Sequence, residues 1–464
     1  MNVSSAPAVP EESAELLPAT RRALLHRVAV AQAKGRAPSL VGAVVRDGRT
    51  VWSAGRGSVA GAVPGADTQY RIGSITKTFV AVLVLRLRDE GLLGLDDRLG
   101  SHLDTPEAGE ATIAQLLAHT SGLAAETRGP WWERTDGGLR PGLGDVFGER
   151  PQAHAPGRAH HYSNPGYALL GALVEQLRGE SWYTVLRREV LEPLGMHRTT
   201  LAPEAPHAEG WAVHPWADVL LPEPLTDTGR MAPAGQLWST AADLGRFAAF
   251  LLDGDERVLR KSSLEEMRVP ETAPQGPDWA GGYGLGLQLA RRDGRFLSGH
   301  TGSMPGFIAT LWVSSVDGVG AVLLANLTSG FEVAAACAEM VATVAEHEPR
   351  IPEPWRPLDA VDPALLELTG PWYWGATGFA LRLRAERGLD LSPLGNGGRA
   401  ARFRAEEDGT WTGLDGYYAG ETLRVVRGAD GAVSHLDIGT FVLTREPYGP
   451  GDVVPGGVDA GGWR

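Results

Sequence analysis

A buried helix that carries a lysine at its start most constrains how this 464-residue chain can fold. The run from Ile75 to Leu87 is apolar on nearly every side, which is typical of a helix packed inside a protein rather than lying on its surface. Lys77 lies in this run, although the whole chain has only three lysines. A lysine at the start of a buried helix needs partners or a chemical task.

Ser74 stands one helical turn before Lys77, so we expect the two side chains to share a helix face, about 5–6 Å apart at Cβ. A serine hydroxyl is a poor nucleophile until a base takes its proton, and a lysine with a lowered pKa can be that base. The helix N-terminus adds backbone N–H groups and a positive dipole end, which suit an oxyanion forming at Ser74. Ser-x-x-Lys also occurs as a solvated surface pair, but the apolar flanks argue against that interpretation.

Two further patterns follow in the order that this chemistry needs. Tyr162–Asn164 (Tyr-Ser-Asn) precedes an apolar helix, and His300–Ser303 (His-Thr-Gly-Ser) follows a strand-like segment. Together with Ser-x-x-Lys, they resemble the signature of the serine penicillin-binding proteins and β-lactamases. Further stretches that carry the resemblance are Leu116–Leu123, Ala234–Thr240 and Gly299–Phe307.

The resemblance is to the class C β-lactamase, esterase and D-aminopeptidase branch, and it covers roughly residues 15 to 346. It implies that Ser74 is the acylated nucleophile, that Lys77 is its general base and that Tyr162 relays protons to the leaving group or from the incoming nucleophile. Asn164 would hold Lys77 and a substrate amide. The backbone N–H groups of Ser74 and Ser303 would form the oxyanion hole.

His300 stands where many relatives of this family have a lysine. A histidine carries less positive charge at neutral pH, so this departure argues against a preference for β-lactams that bear a carboxylate. The resemblance still makes His300 a catalytic candidate. Candidates for substrate binding on the same grounds are Thr301, Gly302 and Trp238.

Other polar and aromatic residues have a structural explanation that competes with a functional one. His119 is near the end of an apolar helix, where a histidine is more often a structural hydrogen-bond donor than a catalyst, and we favour the structural role. His160 and His161 could form a metal pair, but no cysteine cluster or His-Glu-x-x-His pattern supports one, so the sequence predicts no metal and no cofactor. Trp131 and Trp132 could anchor a long loop or line an apolar cleft.

The length of the chain exceeds what one hydrophobic core usually supports, which predicts two or more domains. The net charge of −13 would repel a phosphate backbone or an anionic bilayer, so we expect neither a nucleic acid nor a membrane as a partner. The first residues show neither the basic region nor the apolar region of a secretory signal, and the single cysteine, Cys337, cannot form an intrachain disulfide. We therefore expect a cytoplasmic enzyme.

Asp-Gly pairs between alternating apolar runs predict tight β-hairpins, because Asp-Gly favours the type I′ turn. Such pairs occur at Asp47-Gly48, Asp293-Gly294 and Asp317-Gly318. Early and late strands thus enclose a helical middle, from Ser74 to about Leu252, in which Thr240 caps a helix. We expect an α and β fold for residues 15–346: a β-lactamase/transpeptidase-like domain with an antiparallel sheet flanked by helices.

Residues 347–362 are rich in proline, which predicts a linker between two domains. Residues 363–448 then hold short alternating segments between Asp-Gly turns, which favours a small antiparallel β-barrel. This barrel resembles the lipocalin-like module that follows the catalytic domain in some family members. Arg445, at the end of its last strand, is a candidate for contacting a substrate carbonyl or carboxylate, although an exposed strand-end arginine is the simpler interpretation. The Gly- and Pro-rich tail, residues 449–464, is expected to be disordered.

Every interpretation that keeps the three patterns shares one chemistry, in which Ser74 attacks a carbonyl and passes the acyl group to an acceptor. The chain most resembles the penicillin-binding-protein-type thioesterases, which take a nonribosomal peptide from a carrier-protein thioester and close it head to tail on its own amine. This implies a peptidyl thioester or peptide substrate and a peptidyl carrier protein as partner, with the loops at residues 129–144 and 211–224 as cover for the ester. A D-aminopeptidase, esterase or other serine hydrolase stays open. A catalytically inactive sensor is disfavoured, because Ser74, Lys77 and Tyr162 are all present.

Overall fold

The structure of the protein is a computed structural model, which describes residues 15–105, 107–135, 146–272, 280–330, 332–352, 354–358, 360, 362–384, 388–396, 398–449 and 451–454. Residues 450 and 455–464 of the predicted tail and residues 136–144 of the predicted loop cover lie outside the described residues. The chain divides between Arg350 and Ile351 into two units. Within the described residues, no helix is long and apolar enough to cross a lipid bilayer.

The first unit combines helices with the strands of an antiparallel sheet. Its helices are α1 (Pro18–Gly35), α2 (Thr76–Asp89), α3 (Ile113–Leu117), α4 (Asn164–Arg178), α5 (Trp182–Leu186), α6 (Ala232–Gly235), α7 (Ala241–Asp253), α8 (Lys261–Glu266) and α9 (Val333–His347). Its strands are β1 (Ser39–Arg46), β2 (Arg49–Gly57), β3 (Gln69–Arg71), β4 (Trp211–Val213), β5 (Leu220–Pro222), β6 (Trp238–Thr240), β7 (Gly281–Tyr283), β8 (Gln288–Arg292), β9 (Arg295–Met304), β10 (Phe307–Ser314) and β11 (Val319–Ala325).

The main sheet of this unit has seven strands in the order β2-β1-β11-β10-β9-β8-β7. The predicted hairpins join β1 to β2, β8 to β9 and β10 to β11. At Asp47-Gly48 the φ angles are +51° and +71°, and at Asp293-Gly294 they are +49° and +77°, so both central residues are left-handed, as a type I′ turn requires. The tight hairpins at these two pairs are confirmed. At Asp317-Gly318 only the glycine has a positive φ angle, +65°, and four residues separate the paired Ser314 and Val319, so this hairpin has a longer loop and the prediction of a type I′ turn is wrong there.

Two hydrophobic cores lie on opposite faces of the sheet, because alternate residues of a strand point to opposite sides. On β1, Val41, Ala43 and Val45 belong to the larger core, together with α2, α4 and α7. Leu40 and Val44 belong to the smaller core, together with α1 and α9. The prediction of an α and β fold with helices flanking an antiparallel sheet is confirmed.

The apolar run around Lys77 forms α2, which is buried along nearly its whole length. Gly73–Ile75 form a single 3-10 turn directly before α2, so Ser74 lies at the entry to the helix. Strand β9 passes against this turn: a Cβ atom on Gly302 would lie 1.9 Å from the carbonyl oxygen of Ile72 and 3.1 Å from the backbone nitrogen of Ser74. Only a glycine allows so close an approach of the two backbones.

The second unit is a sheet in which each strand pairs antiparallel with the next. Its elements are α10 (Pro363–Leu366), β12 (Gly370–Trp374), β13 (Thr377–Leu383), β14 (Leu389–Pro393), β15 (Ala401–Ala405), β16 (Trp411–Gly413), β17 (Thr422–Arg427), β18 (Val433–Ile438) and β19 (Phe441–Leu443). Tyr373 and Thr444 exchange backbone hydrogen bonds of 2.7 and 2.9 Å, which nearly closes the sheet. Buried side chains such as Trp372 and Phe403 fill its centre. The predicted antiparallel barrel is confirmed.

Candidate active site

The side chains of Ser74 and Lys77 meet at the entry to α2. The Nζ atom of Lys77 lies 2.9 Å from the Oγ atom of Ser74 and donates a second hydrogen bond, of 2.6 Å, to the carbonyl oxygen of Ala234. Burial lowers the pKa of Lys77 to about 7, although attraction to the charges of Glu126 and Glu133 opposes the shift. At neutral pH much of this amine is therefore unprotonated, and it can accept the proton of Ser74.

The phenol of Tyr162 lies on the same two residues. Against the larger effect of burial, interaction with the Ser74 side chain lowers the pKa of this phenol, and the ring centre lies 4.9 Å from the Nζ atom of Lys77. Burial raises the pKa of Tyr162, so the phenol keeps its proton at neutral pH. A protonated phenol in contact with the nucleophile can donate to an oxygen, or can pass a proton on when the nucleophile changes its charge.

Asn164 reaches Lys77 only through a carboxylate. Its Nδ2 atom donates a hydrogen bond of 2.7 Å to the Oε1 atom of Glu126. In the part of the chain that the structure describes, no hydrogen bond joins Asn164 to Lys77, whose other acceptor is the carbonyl of Ala234. This differs from the expectation that Asn164 holds the lysine directly. Asn164 instead positions the Glu126 charge, which opposes the lowering of the Lys77 pKa.

Adjacent tryptophans hold the two carboxylates beside the site. The indole of Trp131 donates to Glu133, and that of Trp132 donates to Glu126, each at 2.8 Å. Trp132 is buried and anchors the loop, whereas Trp131 is 56% exposed and faces solvent. Burial, followed by the charge of Glu126, raises the pKa of Glu133. Because both charges act on Lys77, this side of the site attracts a cation, although the charge of the buried Arg71 offsets part of that of Glu133.

His300 is buried on β9 and is neutral. Its Nε2 atom lies 2.8 Å from the hydroxyl of Tyr283, and its Nδ1 atom lies 2.5 Å from the carbonyl oxygen of Thr301. A carbonyl can only accept, so Nδ1 carries the proton and Nε2 accepts from the Tyr283 hydroxyl. Burial, followed by the charge of Lys77, lowers the pKa of His300 to about 3. The site therefore lacks, at this position, the cation that a lysine would supply.

The rest of the His-Thr-Gly-Ser pattern runs along the 3-10 turn Gly73–Ile75, which carries Ser74 and is called the nucleophile turn below. The backbone N–H and the hydroxyl of Thr301 both donate to the side chain of Gln288, at 3.0 and 3.1 Å. The backbone nitrogen of Ser303 lies 2.6 Å from the position that a Cβ atom would take on Gly73. The N–H groups of Ser74 and Ser303 thus belong to two backbones in contact, an arrangement that can hold an oxyanion.

The other two residues predicted to bind substrate have structural partners of their own. Trp238 is 1% exposed, and its ring lies 5.1 Å from that of Phe307. Arg445 belongs to the second unit, where its guanidinium donates to backbone carbonyls between Glu367 and Pro371 and lies 3.9 Å from the ring centre of Trp372. Packing in the core explains the position of Trp238, and hydrogen bonds to the backbone around the start of β12 explain the position of Arg445.

Several residues of the site carry no signal in the sequence. Glu126 stands in a loop, Glu133 in a 3-10 turn and Tyr283 in the short strand β7, and no spacing links them to the three patterns. The sequence predicts a structural hydrogen-bond donor at His119, but in the structure its Nδ1 atom accepts the backbone N–H of Ser163 at 3.0 Å. Within the described residues, no group of three or more His, Cys, Asp or Glu side chains is placed to hold a metal ion.

A serine that a neighbouring amine can deprotonate, in contact with backbone N–H groups that can hold an oxyanion, places the protein among the serine hydrolases. The chain belongs to the Beta-lactamase family, whose model matches residues 24–346. The β-lactamase-like character of the first unit is thereby confirmed. Residues 361–445 match a domain of unknown function, DUF7586, so kinship of the barrel with lipocalins stays a prediction.

The similar proteins include penicillin-binding proteins and enzymes that act on D-residues. Penicillin-binding protein 4 of Amycolatopsis lactamdurans is 33% identical over 279 residues, which cover 56% of this chain and 72% of that protein. The chain spans 59% and 58% of the length of the next two curated relatives. The crystal structure of SurE with D-Leu is 26% identical, with a TM-score of 0.58, and covers 93% of this chain and 100% of that one. A D-stereospecific amidohydrolase from Streptomyces sp. is 25% identical, with a TM-score of 0.58, and covers 71% of this chain and 99% of that one.

Proposed function

We propose that this protein is a serine acyltransferase that takes a nonribosomal peptide from a carrier-protein thioester onto Ser74 and closes it head to tail into a macrolactam. The observation that carries this proposal is the pair of carboxylates, Glu126 and Glu133, whose charges act on Lys77 beside the nucleophile. A negative side next to an acyl-enzyme attracts the peptide's own N-terminal ammonium, and so favours an amine as the acyl acceptor.

Acylation of the serine uses the groups that touch Ser74. Lys77 takes the hydroxyl proton while the Oγ atom attacks the thioester carbonyl carbon, and the backbone N–H groups of Ser74 and Ser303 hold the resulting oxyanion. The carbon–sulfur bond then breaks, and the leaving thiolate takes a proton from Tyr162, which is replenished from Lys77. The products are the free carrier thiol and an ester on Ser74.

Ring closure reverses these proton transfers. The peptide's amine loses a proton and attacks the ester carbonyl, the oxyanion forms in the same place, and the bond to the Ser74 oxygen breaks. The proton that the amine loses passes through Tyr162 to Lys77, and Lys77 donates a proton to the departing Ser74 oxygen, which restores both groups. Because the amine belongs to the same bound chain, its effective concentration can reach about 10⁵ M or more, which lets it compete with water.

The neutral state of His300 fits a substrate of this kind. A site that selects peptides or β-lactams by a free carboxylate needs a cation close to the scissile bond, and His300 with a pKa of about 3 does not supply one at neutral pH. A peptide held as a thioester has no free C-terminal carboxylate. The absence of this charge on His300 therefore costs such a substrate nothing.

The likeness to SurE with D-Leu and to a D-stereospecific amidohydrolase supports a D-residue at the C-terminal end of the peptide. The same likeness supports the second candidate function, a D-aminopeptidase, esterase or related hydrolase. In that case Glu126 and Glu133 hold the ammonium of a short substrate, and water is the acceptor. The two functions share the acyl-enzyme and differ in the step that removes it.

Product analysis separates the two functions. A linear peptide with a free N-terminus and a C-terminal D-leucyl thioester is incubated with the protein and followed by liquid chromatography with mass detection. We expect a product lighter by one water than the free acid, and we expect none from the Ser74→Ala variant. The matched control carries an acetylated N-terminus, which can acylate Ser74 but cannot cyclise. Linear acid as the sole product, with efficient cleavage of D-aminoacyl amides, would establish the hydrolase instead.

A further inference from the structure

We infer that His119 is a positioning residue that holds the phenol of Tyr162 against Ser74 and Lys77. The inference rests on the proposed function, because it concerns the proton transfers of the acyl-transfer reaction. His119 does not contact Ser74 by a hydrogen bond in the described structure, and it acts through Tyr162.

His119 contacts three consecutive residues of the segment before α4. Its carbonyl oxygen accepts the backbone N–H of His161 at 2.8 Å, and its Nδ1 atom accepts the backbone N–H of Ser163 at 3.0 Å. Between these two bonds, the ring of Tyr162 lies 4.0 Å from the imidazole ring, at an interplanar angle of 31°. One residue therefore sets both the backbone on either side of Tyr162 and the plane of its ring.

The segment needs such a support because it has no regular secondary structure. Residues 158–163 belong to neither a helix nor a strand, so no ladder of hydrogen bonds fixes the direction in which the Tyr162 side chain leaves the backbone. Ser163 adds support, because its hydroxyl donates to the carbonyl of Ala124 at 2.7 Å and accepts from the N–H of Gly166 at 3.1 Å. The N–H of Asn164 also donates to the carbonyl of Ala125 at 2.9 Å. These bonds hold the start of α4, whereas the bonds of His119 hold the tyrosine.

The protonation state of His119 agrees with this assignment. Its Nδ1 atom accepts from an N–H group, so the proton of the neutral ring is on Nε2. The Nε2 atom is buried and has no hydrogen-bond partner among the described residues. A buried unpaired N–H is unfavourable, and an apolar residue of similar size would avoid it. The bond at Nδ1 and the ring contact with Tyr162 are therefore what the histidine supplies to the tyrosine segment, while the ring also packs against Tyr167 and Tyr283.

The backbone of His119 determines which substitutions test the inference. Its φ angle is +56°, in the left-handed region that asparagine tolerates better than other residues with a side chain. The Oδ1 atom of asparagine also stands where Nδ1 stands in histidine, so His119→Asn keeps the acceptor. His119→Gln carries the same amide one methylene further out and loses the acceptor at that place.

A double-mutant cycle with Tyr162→Phe distinguishes positioning from general structural support. The measured step is the burst of nitrophenolate when p-nitrophenyl acetate acylates Ser74. We expect His119→Gln to slow the burst by about 10- to 100-fold, the usual cost of a misplaced catalytic group. In the Tyr162→Phe background the same change should cost less than about twofold, because the hydroxyl that His119 positions is already gone. His119→Asn should keep most of the rate in the parent protein.

Thermal unfolding of each variant is measured alongside, so that a loss of folded protein is not taken for a loss of positioning. Equal losses from His119→Gln in the two backgrounds would overturn the inference, as would His119→Asn being as slow as His119→Gln while both are folded. Absence of any Ser74-dependent burst in the parent protein would overturn the proposed function as well. A burst with additive losses would overturn the role of His119 alone.

Discussion

The side-chain amide of Asn164 lies 2.7 Å from the Oε1 atom of Glu126, and the charge of Glu126 acts in turn on Lys77. The asparagine of the Tyr-Ser-Asn pattern thus influences the base through a carboxylate. Three properties of the site then depend on one another: the position of Asn164, the charge of Glu126 and the pKa of Lys77. A substitution that removes the charge of Glu126 but keeps the shape of its side chain separates the effect of this charge from that of the position of Asn164.

Glu126→Gln should move the pH dependence of acylation to lower pH. Attraction to the Glu126 charge raises the pKa of Lys77, so the neutral amide removes this effect and leaves the lysine unprotonated at a lower pH. The measurement is kcat/KM for a neutral ester against pH. Glu346→Gln, on α9 beyond the main sheet, is the control and should leave the midpoint where it is. A midpoint that rises in the Glu126 variant would contradict the assignment of Lys77 as the base.

In the parent protein kcat/KM should rise with pH and level off above about 7, because a base works only after it has lost its proton and burial lowers the pKa of Lys77 to about 7. His300, with a pKa of about 3, should add no step between pH 5 and 8. Lys77→Ala should lower acylation on the order of 10³-fold or more and abolish this pH dependence. A variant that keeps the same profile would assign the titration to another group.

Tyr162→Phe should slow turnover by about 10²- to 10⁴-fold and change substrate binding little, because the phenol acts only while protons move. Steady-state kinetics with a peptide thioester gives kcat, and binding to the inactive Ser74→Ala protein, with and without the tyrosine change, gives affinity. If affinity falls as much as kcat/KM, Tyr162 is a packing residue.

His300→Lys should shift the preference of the site toward carboxylate-bearing substrates. The histidine is neutral, whereas a lysine can pair with a carboxylate, which is worth about tenfold in rate. The measurement is the acylation rate with a β-lactam carboxylate divided by the rate with its methyl ester. This ratio cancels any general loss of activity in the variant. An unchanged ratio would show that position 300 does not select the substrate charge.

Arg445→Ala should destabilise the barrel by about 1–3 kcal/mol, because its guanidinium bonds to the carbonyls between Glu367 and Pro371 and covers Trp372. Acylation by a small ester should not change. Arg424→Ala, at an exposed arginine of β17, is the matched control for loss of a charge. An unchanged unfolding temperature together with slower turnover of a peptide thioester would instead favour contact with the substrate.

The parts of the site that could be predicted from sequence are those encoded over short distances along the chain. Ser74 and Lys77 are one turn apart, and the hairpin turns are adjacent Asp-Gly pairs. The contacts that could not be predicted join distant residues: Asn164 and Glu126 are 38 positions apart, and Lys77 and Ala234 are 157 apart. The Ala234 contact uses a backbone oxygen, which every residue has, so no residue type could have marked it.

The backbone of β9 lies as close to the nucleophile turn as the radii of its atoms allow. A Cβ atom on Gly302 would lie 1.9 Å from the carbonyl oxygen of Ile72, well inside van der Waals contact. The spacing of the N–H groups on Ser74 and Ser303 is therefore independent of any side-chain rotamer, and rotamer changes elsewhere in the site leave it intact. A single methyl group on Gly302 would force the two backbones apart, although this glycine contributes no atom to the chemistry.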